Sequence, residues 1–309
     1  MTATVKVLPS DDAVDAVEGL EKLVRGRVPD PAHQPPGDEF FRGDFSTLWS
    51  SLVDNGWTGL AAPGQSRTGD AEGLDIVDLL AVAEMWGRYL VPLPFLPSLI
   101  TSRWSDAGSS TGAGATFALW SDHYGYAISP FGGVDGVRCV AQVPGGAGDV
   151  AMEAPRLDLS APSLPVARAV APSSIGADVR REVAALALAE AVGAVTVTLE
   201  RAIAYAGVRV QFGKPIGSQQ AVKHHLANMH IANELARSTS LSMLYADGAD
   251  LPGLVRNGFG YCSTVWQTSV QVHGGIGFTW EAGLHFYERH VLALRALAVA
   301  AVQTGDGSA

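Results

Sequence analysis

The chain has 309 residues, with 31 acidic against 21 basic side chains and a formal net charge of −10. This length leaves room for two or three domains, and an apolar content of 47% supports a large core and excludes global disorder. The acidic balance argues against a general nucleic-acid binder, which needs a basic face to displace counterions. Two cysteines, Cys139 and Cys262, are too few for a disulfide framework and indicate a reducing cytoplasm.

The first third of the chain is predicted to be helical. Apolar residues recur at helical spacing within the first 30 residues, and further helices are expected at 45–53 and 74–90. The Asn55-Gly56 pair ends the second of these helices, and Pro92-Leu93-Pro94 ends the third. A proline-rich segment at 29–36 and a glycine-rich loop at 63–73 lie between them. No signal peptide and no uninterrupted apolar run of membrane-spanning length is visible, so neither secretion nor a membrane span is predicted.

The pattern changes near Thr111. Short β-rich runs at 116–120, 124–129, 137–143 and 150–153 are separated by Gly, Pro or Asp clusters. They predict a small antiparallel unit that ends near Val170, with Gly145–Gly148 as a turn between two strands.

From Asp178 onward four long helices are expected, at 178–208, 218–246, 252–272 and 281–302. Four antiparallel helices of this length form a bundle. The predicted fold class is therefore mostly α with a small β insert. The predicted domains are an N-terminal helical domain at 1–110, a reduced β-domain at 111–175 and a C-terminal four-helix bundle at 176–309.

Several common catalytic signatures are missing. The sequence holds no dinucleotide-binding glycine fingerprint, P-loop, nucleophile elbow or zinc-protease motif. The histidines are not spaced as metal ligands on one helix face, so no metal site is predicted.

Two segments do carry a pattern suited to an anionic ligand. The first runs from Tyr205 to Gly217 and places Arg209, Gln211 and Phe212 at a helix end, just before a new helix that contains Gln220. A helix N-terminus offers free N–H groups and a positive dipole to a phosphate, which an arginine can also bind bidentately. The physical alternative is an ordinary salt bridge and a core aromatic.

The second segment is Gln271-Val272-His273-Gly274-Gly275-Ile276-Gly277-Phe278-Thr279. Its glycines let a backbone approach another group closely, and the amide of Gln271 can bind a polar ligand. The physical alternative is a plain helix–helix turn with glycines at the helix C-terminus.

Together these segments resemble the C-terminal domain of the acyl-CoA dehydrogenases. The family pattern is Tyr-Ala-x-x-Arg-x-Gln-Phe-Gly, then Gln-Ala-Val-x-His, then Gln-x-His-Gly-Gly-x-Gly-Phe-Thr, and the chain has all three in order. Residues 56–63 and 84–94 are also similar to the family's first helical domain. The chain also resembles the short, degenerate subunits of actinobacterial heteromeric acyl-CoA dehydrogenases of steroid breakdown.

The resemblance implies an FAD at a subunit interface, with the flavin ring on the β-domain of one subunit and the ADP half held by the C-terminal domain of the other. The positions that match FAD contacts are Arg209, Gln211, Phe212, Gln220, Gln271, Gly274 and Gly275. The implied reaction takes a proton from the α-carbon of an acyl-CoA, while the β-hydride passes to the flavin.

The catalytic half of the site departs from the family pattern. The segment at 126–133 lacks the residues that hold the flavin ring, and the usual base position falls near Leu297-Ala298-Val299, which has no carboxylate. An alternative base position falls on Val183, so the adjacent Glu182 is only a weak candidate, with a solvated residue near Arg180 and Arg181 as the alternative. Glu190 and Glu200 are expected to be structural.

These departures favour one function over two others. The chain is expected to be a cytoplasmic subunit of a heteromeric α2β2 acyl-CoA dehydrogenase, which supplies the ADP-side clamp while a paralogous partner supplies the base. Its substrate would be an acyl-CoA thioester, with steroid-derived groups suggested by analogy. The chain is shorter than usual family members, which also points to a divided active site. The alternatives are a scaffold without flavin and a self-sufficient homodimer that uses Glu182 or another base.

Overall fold

The computed structural model describes residues 6–30, 45–62, 73–104 and 174–302, together with short strands between residues 115 and 169. Four helices form the N-terminal part: α1 (Asp11–Val24), α2 (Ser46–Asp54), α3 (Ile76–Tyr89) and α4 (Phe95–Trp104). The first three confirm the predicted helices. Most of the proline-rich segment and of the loop at 63–73 lies outside the described residues.

Helix α4 was not predicted. Its proline, Pro97, lies in the first turn, where no helical hydrogen bond is lost. Residues Phe95–Ser102 are all buried, so the helix has no polar face. A helix that is buried all round shows little 3.6-residue periodicity, and this is why its sequence gave no helical signal.

Seven strands follow, and they form two small sheets: β1 (Ala115–Phe117), β2 (Leu119–Ser121), β3 (Tyr126–Pro130), β4 (Arg138–Val143), β5 (Gly146–Asp149), β6 (Val166–Ala169) and β7 (Ser174–Ile175). Strand β4 pairs with β1, β5 and β7, and β3 pairs with β2 and β6.

The prediction of an antiparallel unit was wrong for two pairs, since β1 and β7 run parallel to β4. The chain passes back and forth between the two sheets, since β4 and β5 of the first sheet lie between β3 and β6 of the second, so strands that are neighbours in sequence are not always paired. The predicted turn at Gly145–Gly148 was also wrong, because Gly146–Asp149 forms β5. The expected strand at 150–153 lies outside the described residues.

The C-terminal part is the predicted helical bundle. It consists of α5 (Ala177–Val208), α6 (Gln220–Met243), α7 (Leu251–His273) and α8 (Leu284–Val302), with a hairpin of β8 (Val210–Gln211) and β9 (Lys214–Pro215) between α5 and α6. By length and composition α5 could cross a membrane, but 89% of its apolar window is buried inside the protein. It is the central helix of the core.

Helix α5 also packs tightly against α3. An added Cβ would lie 1.9 Å from the carbonyl oxygen of Glu190 if it stood at Gly87, and 1.8 Å from that of Glu84 if it stood at Gly193. Only glycine permits this approach of two helix backbones. The contact fixes the N-terminal helices on the bundle.

Candidate functional site

The hairpin after α5 is tight and carries a strained aromatic residue. Phe212 and Gly213 connect β8 to β9, and both have positive φ values, of 51° and 79°. Two such residues in succession are typical of a type I′ turn, which costs energy at a non-glycine position. Phe212 is nevertheless 93% exposed. Since burial within the chain does not offset this strain, Phe212 is placed to contact something outside the chain.

The second motif ends α7 in a glycine turn. Gln271 is exposed on the last turn of α7, and Gly274 has a φ of 65° that favours glycine. A short 3-10 helix, Gly274–Phe278, follows and exposes 81% of Phe278. At Gly275 no heavy atom of the described residues, apart from its neighbours in sequence, lies within 4 Å of an added Cβ. The missing side chain at Gly275 therefore leaves open space beside the backbone.

The fold brings both motifs to one end of the bundle. The rings of Tyr205, in the last turn of α5, and His273, at the end of α7, stack with centroids 4.7 Å apart. The turn before α6 packs on the same end, because a Cβ at Gly217 would lie 2.9 Å from the carbonyl oxygen of Ala206. The seven residues that the resemblance assigns to FAD share this end, and we call them the clamp residues: Arg209, Gln211, Phe212, Gln220, Gln271, Gly274 and Gly275.

The clamp residues are all solvent-exposed in this chain. Within the described part of the chain, the side chain of Gln220 has one hydrogen-bond partner, Nε2 of His224 at 3.2 Å, and the guanidinium of Arg209 forms no ion pair. An exposed cation without a partner, a helix N-terminus and an unfilled glycine backbone suit the phosphates of a dinucleotide. The clamp residues therefore fit the ADP half of FAD, and Phe212 adds an apolar surface beside it.

Glu182 lies far from the clamp residues. Glu182 lies near the start of α5 and Arg209 directly follows its end, so 27 residues at the helical rise separate them by about 40 Å. Its carboxylate is buried and accepts hydrogen bonds from Nε of Arg103, at 3.2 Å, and from the indole of Trp104. Burial raises the pKa of Glu182 above its usual range, although Arg103 opposes this shift. The expectation of a solvated residue beside Arg180 and Arg181 was wrong.

The family's two base positions meet at one small cavity. Val183 and Leu297 both line it, and its volume is about 20 Å³, room for one water molecule but not for an acyl chain. Neither position carries a carboxylate. Glu190 also borders the cavity and pairs with Nε2 of buried His290 at 2.9 Å. Among the described residues that line this cavity, Glu190 is the one carboxylate, and it is paired with His290.

Two features were not found from the sequence. The pairing of Glu190 with His290 joins residues 100 positions apart. The sequence signal that could have indicated it is a charged residue within an Ala- and Val-rich helix. A cavity of about 240 Å³ lies between α3, α5 and α8 and contains two ion pairs, Arg88 with Glu200 and Arg201 with Asp30. Glu200 is thus paired on the protein surface. Among the described residues, no group of three His, Cys, Asp or Glu could hold a metal ion.

Known proteins share both the C-terminal domain and the fold. Residues 182–301 match the family model for the acyl-CoA dehydrogenase C-terminal domain. The acyl-CoA dehydrogenase IpdE2 of Mycobacterium tuberculosis is 37% identical over 105 residues, which is 34% of this chain and 33% of that protein. The sequence match thus spans only about a third of the length of this curated relative.

Solved structures extend the likeness to nearly the whole chain. The ChsE4-ChsE5 complex from Mycobacterium tuberculosis superposes with a TM-score of 0.65 at 21% identity, covering 96% of this chain and 95% of that one. PigA, solved with FAD and proline, gives a TM-score of 0.65 at 17% identity and covers 95% and 94%. At these identities the likeness shows the fold. Residues 182–301 therefore match the C-terminal domain of the acyl-CoA dehydrogenases, and the chain has the fold of these solved structures.

Proposed function

We propose that the chain is a subunit of a flavin-dependent acyl-CoA dehydrogenase and supplies the ADP-side clamp for FAD to a catalytic partner subunit. One contrast supports this proposal. The clamp residues are assembled and exposed at one end of the bundle, while Val183 and Leu297 leave the family's base positions apolar around a cavity of about 20 Å³. The chain thus keeps the binding half of the site without the catalytic half.

Five of the seven clamp residues have a defined role in this proposal. Arg209 pairs with the pyrophosphate, and the first N–H groups of α6 add a positive dipole to the same anion. Gln271 donates from its side-chain amide, and Gly274 and Gly275 let the dinucleotide lie against the backbone. Phe212 excludes water from one side of the ligand. When bound, FAD supplies the hydride acceptor of the reaction.

The partner subunit completes the site. It supplies the carboxylate base and the platform for the flavin ring, so the assembly is an α2β2 heteromer of two paralogues in the cytoplasm. The substrate is an acyl-CoA thioester, and a steroid-derived acyl group is the first to test, by resemblance to the actinobacterial enzymes. A scaffold without flavin is the alternative function, but it gives no reason for exposing the unpaired Arg209 or the strained Phe212.

A matched pair of arginine variants tests the proposal. The chain and a paralogue encoded beside it are co-expressed, and flavin absorbance gives the FAD content of the purified complex. Arg209→Ala should reduce retained FAD severalfold because it removes a charge-assisted contact with phosphate. Arg256→Ala makes the same charge change at an exposed position on α7 and should leave FAD content unchanged. Full FAD retention in the Arg209→Ala complex would contradict the clamp assignment.

A further inference from the structure

Two aromatic rings join the two halves of the clamp. Tyr205 lies one turn before Arg209, and His273 immediately precedes Gly274. Their ring planes are 24° apart, with centroids separated by 4.7 Å. Both residues are half-buried, whereas the clamp residues next to them are exposed. The stack is therefore a packed layer directly beneath the clamp.

The backbone at Tyr205 and the ring of His273 are both held by hydrogen bonds within their helices. The backbone N–H of Arg209 donates to the carbonyl of Tyr205 at 2.9 Å and closes the last turn of α5. His273 Nδ1 lies 2.8 Å from the carbonyl oxygen of Ser269. Because a carbonyl only accepts, Nδ1 carries the hydrogen. Ser269 in turn donates from Oγ to the carbonyl of Thr198 on α5, at 2.8 Å. The orientation of the His273 ring is thus set by the bundle, and the Tyr205 ring stacks on it.

The stacked rings connect the two turns of the clamp. Phe212 and Gly274 both have positive φ values, in two turns that project from different helices. A ligand that bridges these turns needs them at a fixed separation, since a displacement of an ångström weakens hydrogen bonds and ion pairs. Burial, reinforced by the charge of Arg201, lowers the pKa of His273, which favours the neutral ring in the stack.

We infer that Tyr205 and His273 are positioning residues that hold the two FAD-binding turns at the separation required by the dinucleotide. The inference rests on the proposed function, because it concerns the same FAD. Neither ring needs to touch the ligand. The contribution of each ring depends on the other, so the two residues should act as a pair.

Ring-retaining and ring-removing variants test this inference in the co-expressed complex. Tyr205→Leu should raise the FAD dissociation constant about tenfold, which corresponds to about 1.4 kcal/mol, whereas Tyr205→Phe should stay within about twofold of wild type. His273→Leu should resemble Tyr205→Leu. The Tyr205→Leu/His273→Leu double variant should bind no more weakly than either single variant, because the stack is already lost. Flavin fluorescence titration measures each constant, and thermal unfolding of the free chain shows whether folding has changed.

The outcomes separate this inference from the proposed function. If Tyr205→Leu and His273→Leu bind FAD with wild-type affinity while Arg209→Ala loses FAD, the positioning role is overturned and the proposed function stands. Additive losses in the double variant also overturn it, since independent contributions are not a pair. A loss of affinity matched by an equal loss in Tyr205→Phe would assign the effect to the hydroxyl instead. A wild-type complex that binds no FAD overturns the proposed function and this inference with it.

Discussion

Substituting the three glycines of the second motif should produce three different results. Gly275→Ala is the informative change, because an added Cβ at this position meets no heavy atom of the chain within 4 Å. Gly277→Ala is the matched control two residues away, where the Cβ would lie 2.8 Å from the carbonyl oxygen of Val270. Gly274→Ala places a side chain at a φ of 65°.

The magnitudes follow from these surroundings. Gly275→Ala should change the free energy of unfolding of the free chain by less than about 0.5 kcal/mol, as for other contact-free substitutions. Gly277→Ala should cost about 1–3 kcal/mol through overpacking. Gly274→Ala should cost about 1–3 kcal/mol, because a φ of 65° with a ψ of −141° is a conformation that few residues other than glycine adopt. In the complex, Gly275→Ala should raise the FAD dissociation constant about tenfold or more, because its methyl group occupies the space proposed for the ligand.

Two assays on the same variants separate folding from binding. Thermal unfolding of the free chain reports stability, with a midpoint shift of about 2–4 °C for each kcal/mol, and flavin fluorescence titration of the complex reports affinity. We expect Gly275→Ala to change only the affinity and Gly277→Ala to lower the midpoint. Wild-type affinity in the Gly275→Ala complex would refute the reasoning that the open space is a ligand site.

Three further predictions concern stability. Burial raises the pKa of Glu182 in the folded protein above its value in the unfolded chain. Glu182 therefore contributes to the stability of the fold at low pH, and this contribution is lost as pH rises through the folded-state pKa. We therefore compare the unfolding temperature of Glu182→Gln with that of wild type at two pH values. The variant should gain relative to wild type between pH 4 and pH 7, and an equal difference at both pH values would contradict the raised pKa of Glu182. In chemical denaturation, His290→Leu should lower the free energy of unfolding by about 3 kcal/mol, because it leaves the buried carboxylate of Glu190 unpaired. The double variant Glu190→Leu/His290→Leu should lose much less. Equal losses in the two variants would argue against a coupled pair. Gly193→Ala should lower the free energy of unfolding by about 3 kcal/mol or more in the same assay, since its Cβ would lie 1.8 Å from a carbonyl oxygen of α3. Gly260→Ala is the control, because its Cβ meets no described atom within 4 Å, and it should be neutral or stabilising.

The sequence predicted those parts of the fold that depend on local patterns. Seven of the eight helices among the described residues follow from apolar periodicity and from breaks such as Pro92-Leu93-Pro94. Helix α4 has no polar face and therefore no such pattern. The pairing of β1 and β7 with β4 is non-local, and no spacing along the chain encodes it.

The same distinction holds for the candidate site. Arg209 and Gln271 lie in contiguous motifs, so their placement at one end of the bundle could be predicted from the order of the helices. The surroundings of Glu182 could not, because its partner Arg103 is 79 positions away on the unpredicted helix. The stack of Tyr205 on His273 was also missed, since it forms only when two helices end side by side.

The central claim is that this chain shares one FAD site with a second, catalytic chain. The most direct measurement is the flavin absorbance of the protein purified after expression alone and after co-expression with the adjacent paralogue. The account predicts that FAD is retained only after co-expression, because the clamp residues hold the ADP half and the partner holds the flavin ring. Full FAD content together with acyl-CoA dehydrogenase activity in the lone chain would contradict it.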